Sequence, residues 1–228
     1  ACNAGSFQGS KGKTACATCT AGGYCDKGAV APTLCPSGSY SNATGNDEQG
    51  DCDACPAGSY CAAGSTEATR CPQGTFTDTE GAGACTACAA GRYQDEEGST
   101  ACLTCTVGGY CGAGSSVAKS CAAGTFGNET GLTSQDGCHT CPAGSACSLG
   151  ATVPTPCASG SFTSNAGALA CSPCAAGTFQ GAAGTTACVA CELGGFCPEG
   201  AASMVLCTAG TFGNLTRQTS ATGCFDCP

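Results

Sequence analysis

The chain has 228 residues, of which 27 are cysteine and 37 glycine, with 6% aromatic residues and no tryptophan. A chain so poor in large apolar side chains cannot close one conventional core over this length, and its cysteine content exceeds the roughly 8–10% at which composition alone signals a disulfide scaffold. The net charge of −9, from 16 scattered acidic residues against 7 basic ones, excludes the clustered basic face that nucleic acid requires.

Disulfides persist in oxidising compartments, so an extracellular, secreted or cell-surface location is expected. No apolar run of about 18 residues is present, and no membrane span is expected in this segment. The start, "ACNAGSF", has no basic and apolar leader pattern, so any signal peptide is expected upstream or already removed.

In chain order, the first expected element is a turn at "CNAGSF", opening at Cys2. The same C-x-x-G-x-[YF] pattern returns as "CPSGSY", "CPQGTF", "CAAGRY", "CAAGTF", "CASGSF" and "CTAGTF". Glycine supplies the turn conformation, and the aromatic two residues later is expected to lie against a neighbouring disulfide. Between these turns, tips such as "SNATGNDEQGD" and "TDTEGAGA" carry the residues that loops favour. No helical periodicity of usable length occurs. The predicted fold class is small disulfide-rich tandem repeats, with little regular secondary structure beyond short β-strands and turns, arranged as an extended rod.

The cysteines repeat with a period of 86 residues. Cys2, Cys16, Cys19, Cys25, Cys35, Cys52, Cys55, Cys61, Cys71 and Cys85 recur as Cys88, Cys102, Cys105, Cys111, Cys121, Cys138, Cys141, Cys147, Cys157 and Cys171. A third copy holds Cys174, Cys188, Cys191, Cys197, Cys207, Cys224 and Cys227. The aromatics keep register too, as in Tyr40, Phe126 and Phe212. The expected organisation is unit 1 over residues 1–86, unit 2 over 87–172 and a partial unit 3 over 173–228.

Each C-x-x-C reads as the end of one module and the start of the next. Short modules then pair Cys2 with Cys16, Cys88 with Cys102 and Cys174 with Cys188. Longer four-cysteine modules cover residues 19–52, 55–85, 105–138, 141–171 and 191–224. Their pairing stays open between sequential and interlocked arrangements, because four cysteines allow three connectivities. Cys227 is left over, with a partner expected beyond Pro228; a reactive free thiol is the competing reading.

Three N-x-[ST] acceptors, Asn42 in "NAT", Asn128 in "NET" and Asn214 in "NLT", follow the same 86-residue register. In a secreted chain they mark surface loops that accept glycans; the competing reading is that they ride along unoccupied in a duplicated unit.

The recurring C-P-x-G-[ST]-[YF], the acidic or glycine-rich loop and the closing C-x-x-C resemble the ephrin-receptor-like cysteine-rich repeat family. "CPAGSYC", "CPSGSYSNATGNDEQGDCDAC" and "CPQGTFTDTEGAGACTAC" carry the likeness, whereas "CSLGATVPTPC" and "CPAGSAC", with Ala146 in place of the aromatic, depart from it. The resemblance implies receptor ectodomains, secreted matrix proteins, or long arrays in algal and protist surface proteins, including mastigoneme-like hair glycoproteins. It implies no catalysis.

Chemistry-bearing residues are sparse. His139, in "CHTC", is the one histidine, and the matching positions hold Asp53 and Phe225; a general base needs partners that hold it, so an exposed spacer is expected. Asp47 with Glu48, and Glu96 with Glu97, read as solvated loop acids without EF-hand spacing. Cys85, Cys88, Cys102 and Cys105 come near zinc-ribbon spacing, but the intervening modules do not fit it. No enzyme, metal site or cofactor is expected. The sequence points to a structural extracellular glycoprotein of a filament or coat, with other copies of itself, similar filament proteins and covalent glycans as partners. The alternative is a stalk or ligand-binding ectodomain of an adhesion receptor.

Overall fold

The computed structural model describes all 228 residues. The backbone is a series of thirteen antiparallel hairpins with two-residue strands, interrupted by three short 3-10 turns and no α-helix. β1 (Ser6–Phe7) pairs with β2 (Ala17–Thr18), β3 (Gly23–Tyr24) with β4 (Thr33–Leu34), and β5 (Ser39–Tyr40) with β6 (Asp53–Ala54). β7 (Ser59–Tyr60) pairs with β8 (Thr69–Arg70), β9 (Thr75–Phe76) with β10 (Thr86–Ala87), and β11 (Arg92–Tyr93) with β12 (Leu103–Thr104). β13 (Gly109–Tyr110) pairs with β14 (Lys119–Ser120), β15 (Thr125–Phe126) with β16 (His139–Thr140), and β17 (Ser145–Ala146) with β18 (Thr155–Pro156). β19 (Ser161–Phe162) pairs with β20 (Ser172–Pro173), and β21 (Thr178–Phe179) with β22 (Val189–Ala190). β23 (Gly195–Phe196) pairs with β24 (Val205–Leu206), and β25 (Thr211–Phe212) with β26 (Phe225–Asp226). These pairs are hairpins 1 to 13 in chain order.

Every hairpin opens at a cysteine, makes a turn, and enters its first strand. At hairpin 3 the Ser39 N–H donates to the Pro36 carbonyl at 3.0 Å, and the Ser39 hydroxyl donates to the same oxygen at 2.8 Å. Gly38, third in that turn, has φ +93°, as a type II turn requires. Hairpin 8 repeats this through Thr125, whose N–H and hydroxyl reach the Ala122 carbonyl at 3.0 and 2.7 Å. The motif C-x-x-G-[ST] is therefore one turn, with this doubled closure in hairpins 1, 3, 5, 8, 10, 11 and 13 and closure by the N–H alone at Ser59 and Ser145 of hairpins 4 and 9.

Successive hairpins are joined by backbone hydrogen bonds. Between hairpins 3 and 4, the Gly38 N–H donates to the Cys61 carbonyl at 2.8 Å, and the Gly64 N–H returns to the Cys35 carbonyl at 2.9 Å. Eighty-six residues on, between hairpins 8 and 9, Gly124 donates to Cys147 at 2.8 Å and Gly150 to Cys121 at 2.9 Å. Hairpins two apart also touch. A Cβ on Gly124 would lie 2.5 Å from the carbonyl oxygen of Gly167 in hairpin 10, and one on Gly38 would collide with the Gly81 carbonyl in hairpin 5. The turn glycine thus serves both conformation and close approach.

The core is sulfur. Every buried apolar residue except Ala201 is a half-cystine, so bridges take the place of packed hydrocarbon. Phe179 lies on the cluster of Cys191, Cys197 and Ala201, together with Met204. The strand aromatics Tyr24, Tyr40, Tyr60, Phe76, Tyr93, Tyr110, Phe126, Phe162 and Phe196 are half-buried. The chain forms two units, residues 1–105 with 111–118, and residues 106–110 with 119–228.

The four-cysteine modules read from the sequence are each two hairpins in the structure. The opening cysteines Cys2, Cys19, Cys35, Cys55, Cys71 and Cys88 stand 17, 16, 20, 16 and 17 residues apart, and the 86-residue period is five hairpins long.

Candidate functional site

The bridges fall into two kinds, each with its own place in a hairpin. In five hairpins the second cysteine directly follows the first strand, six residues from its partner: Cys19–Cys25, Cys55–Cys61, Cys105–Cys111, Cys141–Cys147 and Cys191–Cys197. These we call clips. In the other eight the second cysteine precedes the second strand and closes the loop across the hairpin. Five of these straps span 14 residues: Cys2–Cys16, Cys71–Cys85, Cys88–Cys102, Cys157–Cys171 and Cys174–Cys188. Three span 17: Cys35–Cys52, Cys121–Cys138 and Cys207–Cys224. In the structure, then, the four-cysteine modules pair sequentially. Cys227 is free and exposed.

By the chain-entropy relation a clip contributes about 2.4 kcal/mol and a strap about 3 kcal/mol, before any strain. Their burial runs the other way. Clip cysteines are at most 1% exposed, whereas Cys16 is exposed and Cys52, Cys85, Cys138, Cys171, Cys188 and Cys224 are half-buried. The sequence signal for a clip is a cysteine directly after the aromatic, as in "CTAGGYC", "CPAGSYC", "CTVGGYC" and "CELGGFC"; the sequence reading did not separate it from the strap.

Asn42, Asn128 and Asn214 all lie just after the first strand of a 17-residue strap hairpin, and all three are exposed. They therefore occupy equivalent surface positions, inside the loops closed by Cys35–Cys52, Cys121–Cys138 and Cys207–Cys224.

His139 sits on β16 opposite Phe126, with ring centroids 5.5 Å apart, and is exposed. Phe225 stands the same way opposite Phe212, with centroids 6.2 Å apart. A phenyl ring and an imidazole thus fill one cross-strand position. Of the zinc-like set, Cys85 is bridged to Cys71, Cys88 to Cys102, and Cys105 to Cys111. No group of three or more His, Cys, Asp or Glu side chains is placed to hold a metal ion. The Asp51 carboxylate accepts from the N–H groups of Asp47 and Glu48 at 2.8 and 3.3 Å, and these two bonds hold its pKa below the usual aspartate value.

Arg92 departs from the repeat, standing where every other hairpin has Ser, Thr or Gly. Its guanidinium donates to the Cys102 carbonyl at 3.0 Å, and with Phe76 and Asp78 it lines a groove between hairpins 5 and 6. At the matching junction of hairpins 10 and 11, Ser164 and Thr178 replace the two charges.

The fold and its bridges define a cysteine-rich array in which one disulfide staples each hairpin. Residues 58–105, 74–120 and 160–205 match the family described as "Tyrosine-protein kinase ephrin type A/B receptor-like", so the chain contains regions matching the ephrin-receptor-like cysteine-rich repeat family. The matches open at Gly58, Gly74 and Gly160, turn glycines of hairpins 4, 5 and 10. The first two are offset by one hairpin, which fits the hairpin as the elementary register. No curated protein matches the chain. No helix is long and apolar enough to cross a membrane.

Proposed function

We propose that the chain is a segment of a structural, non-enzymatic extracellular glycoprotein. Its 86-residue units 1–86 and 87–172 and the partial unit 173–228 serve as building blocks of a surface filament or cell coat, with further copies or similar proteins as neighbours. The observation that carries this reading is the repetition of inter-hairpin bonding. The junctions of hairpins 3 with 4 and of 8 with 9 keep the same donor and acceptor positions, with the Gly38 and Gly124 bonds both at 2.8 Å and the Gly64 and Gly150 bonds both at 2.9 Å, while exposed positions such as Asp53 and His139 drift. A filament needs like surfaces at like intervals, and a conserved backbone ladder under a varied surface supplies the intervals.

Glycans at Asn42, Asn128 and Asn214 belong to this reading. Peptide mass spectrometry of native material should find all three modified; unmodified asparagine at all three removes the glycoprotein part. Electron microscopy of negatively stained native material tests the assembly, with filaments of regular axial repeat expected. Dispersed single molecules would favour the second reading, a stalk or ligand-binding receptor ectodomain, which the receptor-like character of the matching family supports.

The covalent scaffold has its own test. Lys27, Arg70 and Lys119 lie in segments that no bridge encloses, whereas Lys11, Lys13, Arg92 and Arg217 lie inside strap loops. Trypsin acting on denatured, unreduced protein should therefore separate residues 1–27, 28–70, 71–119 and 120–228. Interlocked pairing would keep these pieces joined until reduction.

A further inference from the structure

We infer that the thirteen bridges form two redox layers. The eight straps open to a small thiol while the five clips and the stack of hairpins stay intact. Two independent observations carry this. The first is access: both cysteines of every clip are buried, whereas most straps keep an exposed or half-buried second cysteine. Thiol–disulfide exchange requires a thiolate to reach sulfur. The second is bonding. The hydrogen bonds between hairpins use the opening cysteine of each hairpin and the second cysteine of each clip, as in Gly38 to Cys61, Gly64 to Cys35 and the Cys61 N–H to Ala82. The second cysteines of the straps take no part in them: the Cys52 and Cys138 N–H groups bond locally, to the carbonyls of Gln49 and Gln135.

Opening a strap therefore breaks the covalent closure of a loop and leaves the rungs donated from outside strap loops, such as Gly64 to Cys35, while rungs made from within the loop, such as Gly38 to Cys61 and Gly81 to Cys55, are held by their hydrogen bonds alone. A small dithiol supplies both electrons. Its thiolate attacks one strap sulfur and forms a mixed disulfide, and its second thiol displaces the protein sulfur. Two protein thiols and the cyclic disulfide of the reagent remain. Exposure ranks the straps: Cys2–Cys16, with Cys16 exposed, opens first, and Cys88–Cys102, with Cys102 only 9% exposed, opens last. Because Asn42, Asn128 and Asn214 lie within the three 17-residue strap loops, the loops released include those bearing the glycan acceptors. The layer thus acts as a redox-controlled loosening of the outer surface over a fixed stack.

The test is a timed reduction of the intact, folded chain with dithiothreitol at neutral pH. Newly freed thiols are alkylated and assigned by peptide mass spectrometry, and backbone amide exchange is followed in parallel. Strap cysteines should be labelled at least tenfold faster than clip cysteines, with Cys16 earliest. The Gly38 and Gly124 N–H groups should stay protected in the strap-opened species. Clips labelled as fast as straps, all thirteen bridges opening together, or loss of Gly38 and Gly124 protection with the first strap would each overturn the inference.

Discussion

Hairpins 3 and 8 hold the same place in the 86-residue period and close the same 17-residue strap, yet they fill the space beneath it with opposite chemistry. In hairpin 3 the buried Asn46 amide donates to the Gly23 carbonyl at 3.1 Å and to the Ser41 hydroxyl at 2.8 Å. In hairpin 8 the matching residue is Leu132, and Gly127 stands where Ser41 did. A Cβ at Gly127 would come within 3.2 Å of Leu132, and one at Gly137 within 3.1 Å. Hairpin 13 offers a third solution, Gln218 against Gly223. One seat under the strap thus accepts a polar or an apolar plug, provided that the flanking residues change with it. A buried amide needs its partners, and a leucine needs the room that glycine leaves. The rungs of Gly38 and Gly64 between hairpins 3 and 4 recur as those of Gly124 and Gly150 between hairpins 8 and 9, while the plug beneath the strap varies.

The largest expected effect comes from removing what the two hairpins share. Gly38→Ala and Gly124→Ala should each disrupt stacking, because the new Cβ meets the carbonyl of Gly81 or Gly167. The left-handed backbone also costs a non-glycine residue about 1–2 kcal/mol. Together these should exceed about 3 kcal/mol of local stability. Amide exchange at the Gly64 and Gly150 N–H groups reads it directly; unchanged protection would mean that the close approach is not needed.

Exchanging the plugs sharpens the comparison. Leu132→Asn alone leaves a polar group without the hydroxyl that Asn46 uses, at a cost of about 1–2 kcal/mol. Gly127→Ser alone brings a Cβ to 3.0 Å from the Cys121 sulfur and against Leu132. The double variant should recover at least about 1 kcal/mol relative to the sum of the singles. Strict additivity in thermal melting under non-reducing conditions would show that the covariation within the chain has no energetic basis.

A smaller effect is expected where hairpin 13 departs from both. Arg217 is the only non-glycine residue with positive φ, at +60°, and it stands where hairpins 3 and 8 have Gly45 and Gly131. Its N–H still donates to the Cys191 carbonyl at 2.8 Å, so the rung is kept at the expense of backbone strain. Arg217→Gly should raise the stability of this hairpin by about 0.5–1 kcal/mol. A loss of stability would show that the side chain, not the backbone, matters there.

Much of this architecture can be read from residue types. The C-x-x-G-[ST] turn is legible because a positive φ and a hydroxyl closure each demand a particular residue, as at Gly38 and Ser39. The 86-residue register is legible because bridges tolerate no slippage. Other features are hidden. The contact of Gly124 with Gly167 joins residues two hairpins apart, and no local pattern announces it. The clip and the strap both begin with C-x-x-G-x-[YF] and differ only in where the next cysteine falls, so spacing alone left the pairing of Cys55, Cys61, Cys71 and Cys85 open. The sequons at Asn42, Asn128 and Asn214 were legible as positions, and the structure adds that they share one kind of loop.

The smallest effect concerns the end of the hairpin 3 loop, where the comparison is electrostatic. Asp51 accepts from the N–H groups of Asp47 and Glu48 at the start of the turn Gln49–Asp51; the matching residues of hairpins 8 and 13 are Gly137 and Gly223. Those bonds favour the charged carboxylate and lower its pKa. A group whose folded pKa is lowered contributes stability that is complete above its unfolded value, about 3.9, and is lost as pH falls through the folded value. Acidification should therefore loosen this turn in hairpin 3 and leave the turns Gln135–Gly137 and Ala221–Gly223 unmoved. In NMR titrations the Asp47 and Glu48 amides should shift with a midpoint below about 3.9, and Asp51→Asn should abolish the transition. A midpoint at or above the ordinary value, or an equal response of the Cys138 and Cys224 amides, would mean that the carboxylate is a bystander and that all three loops are held by their straps alone.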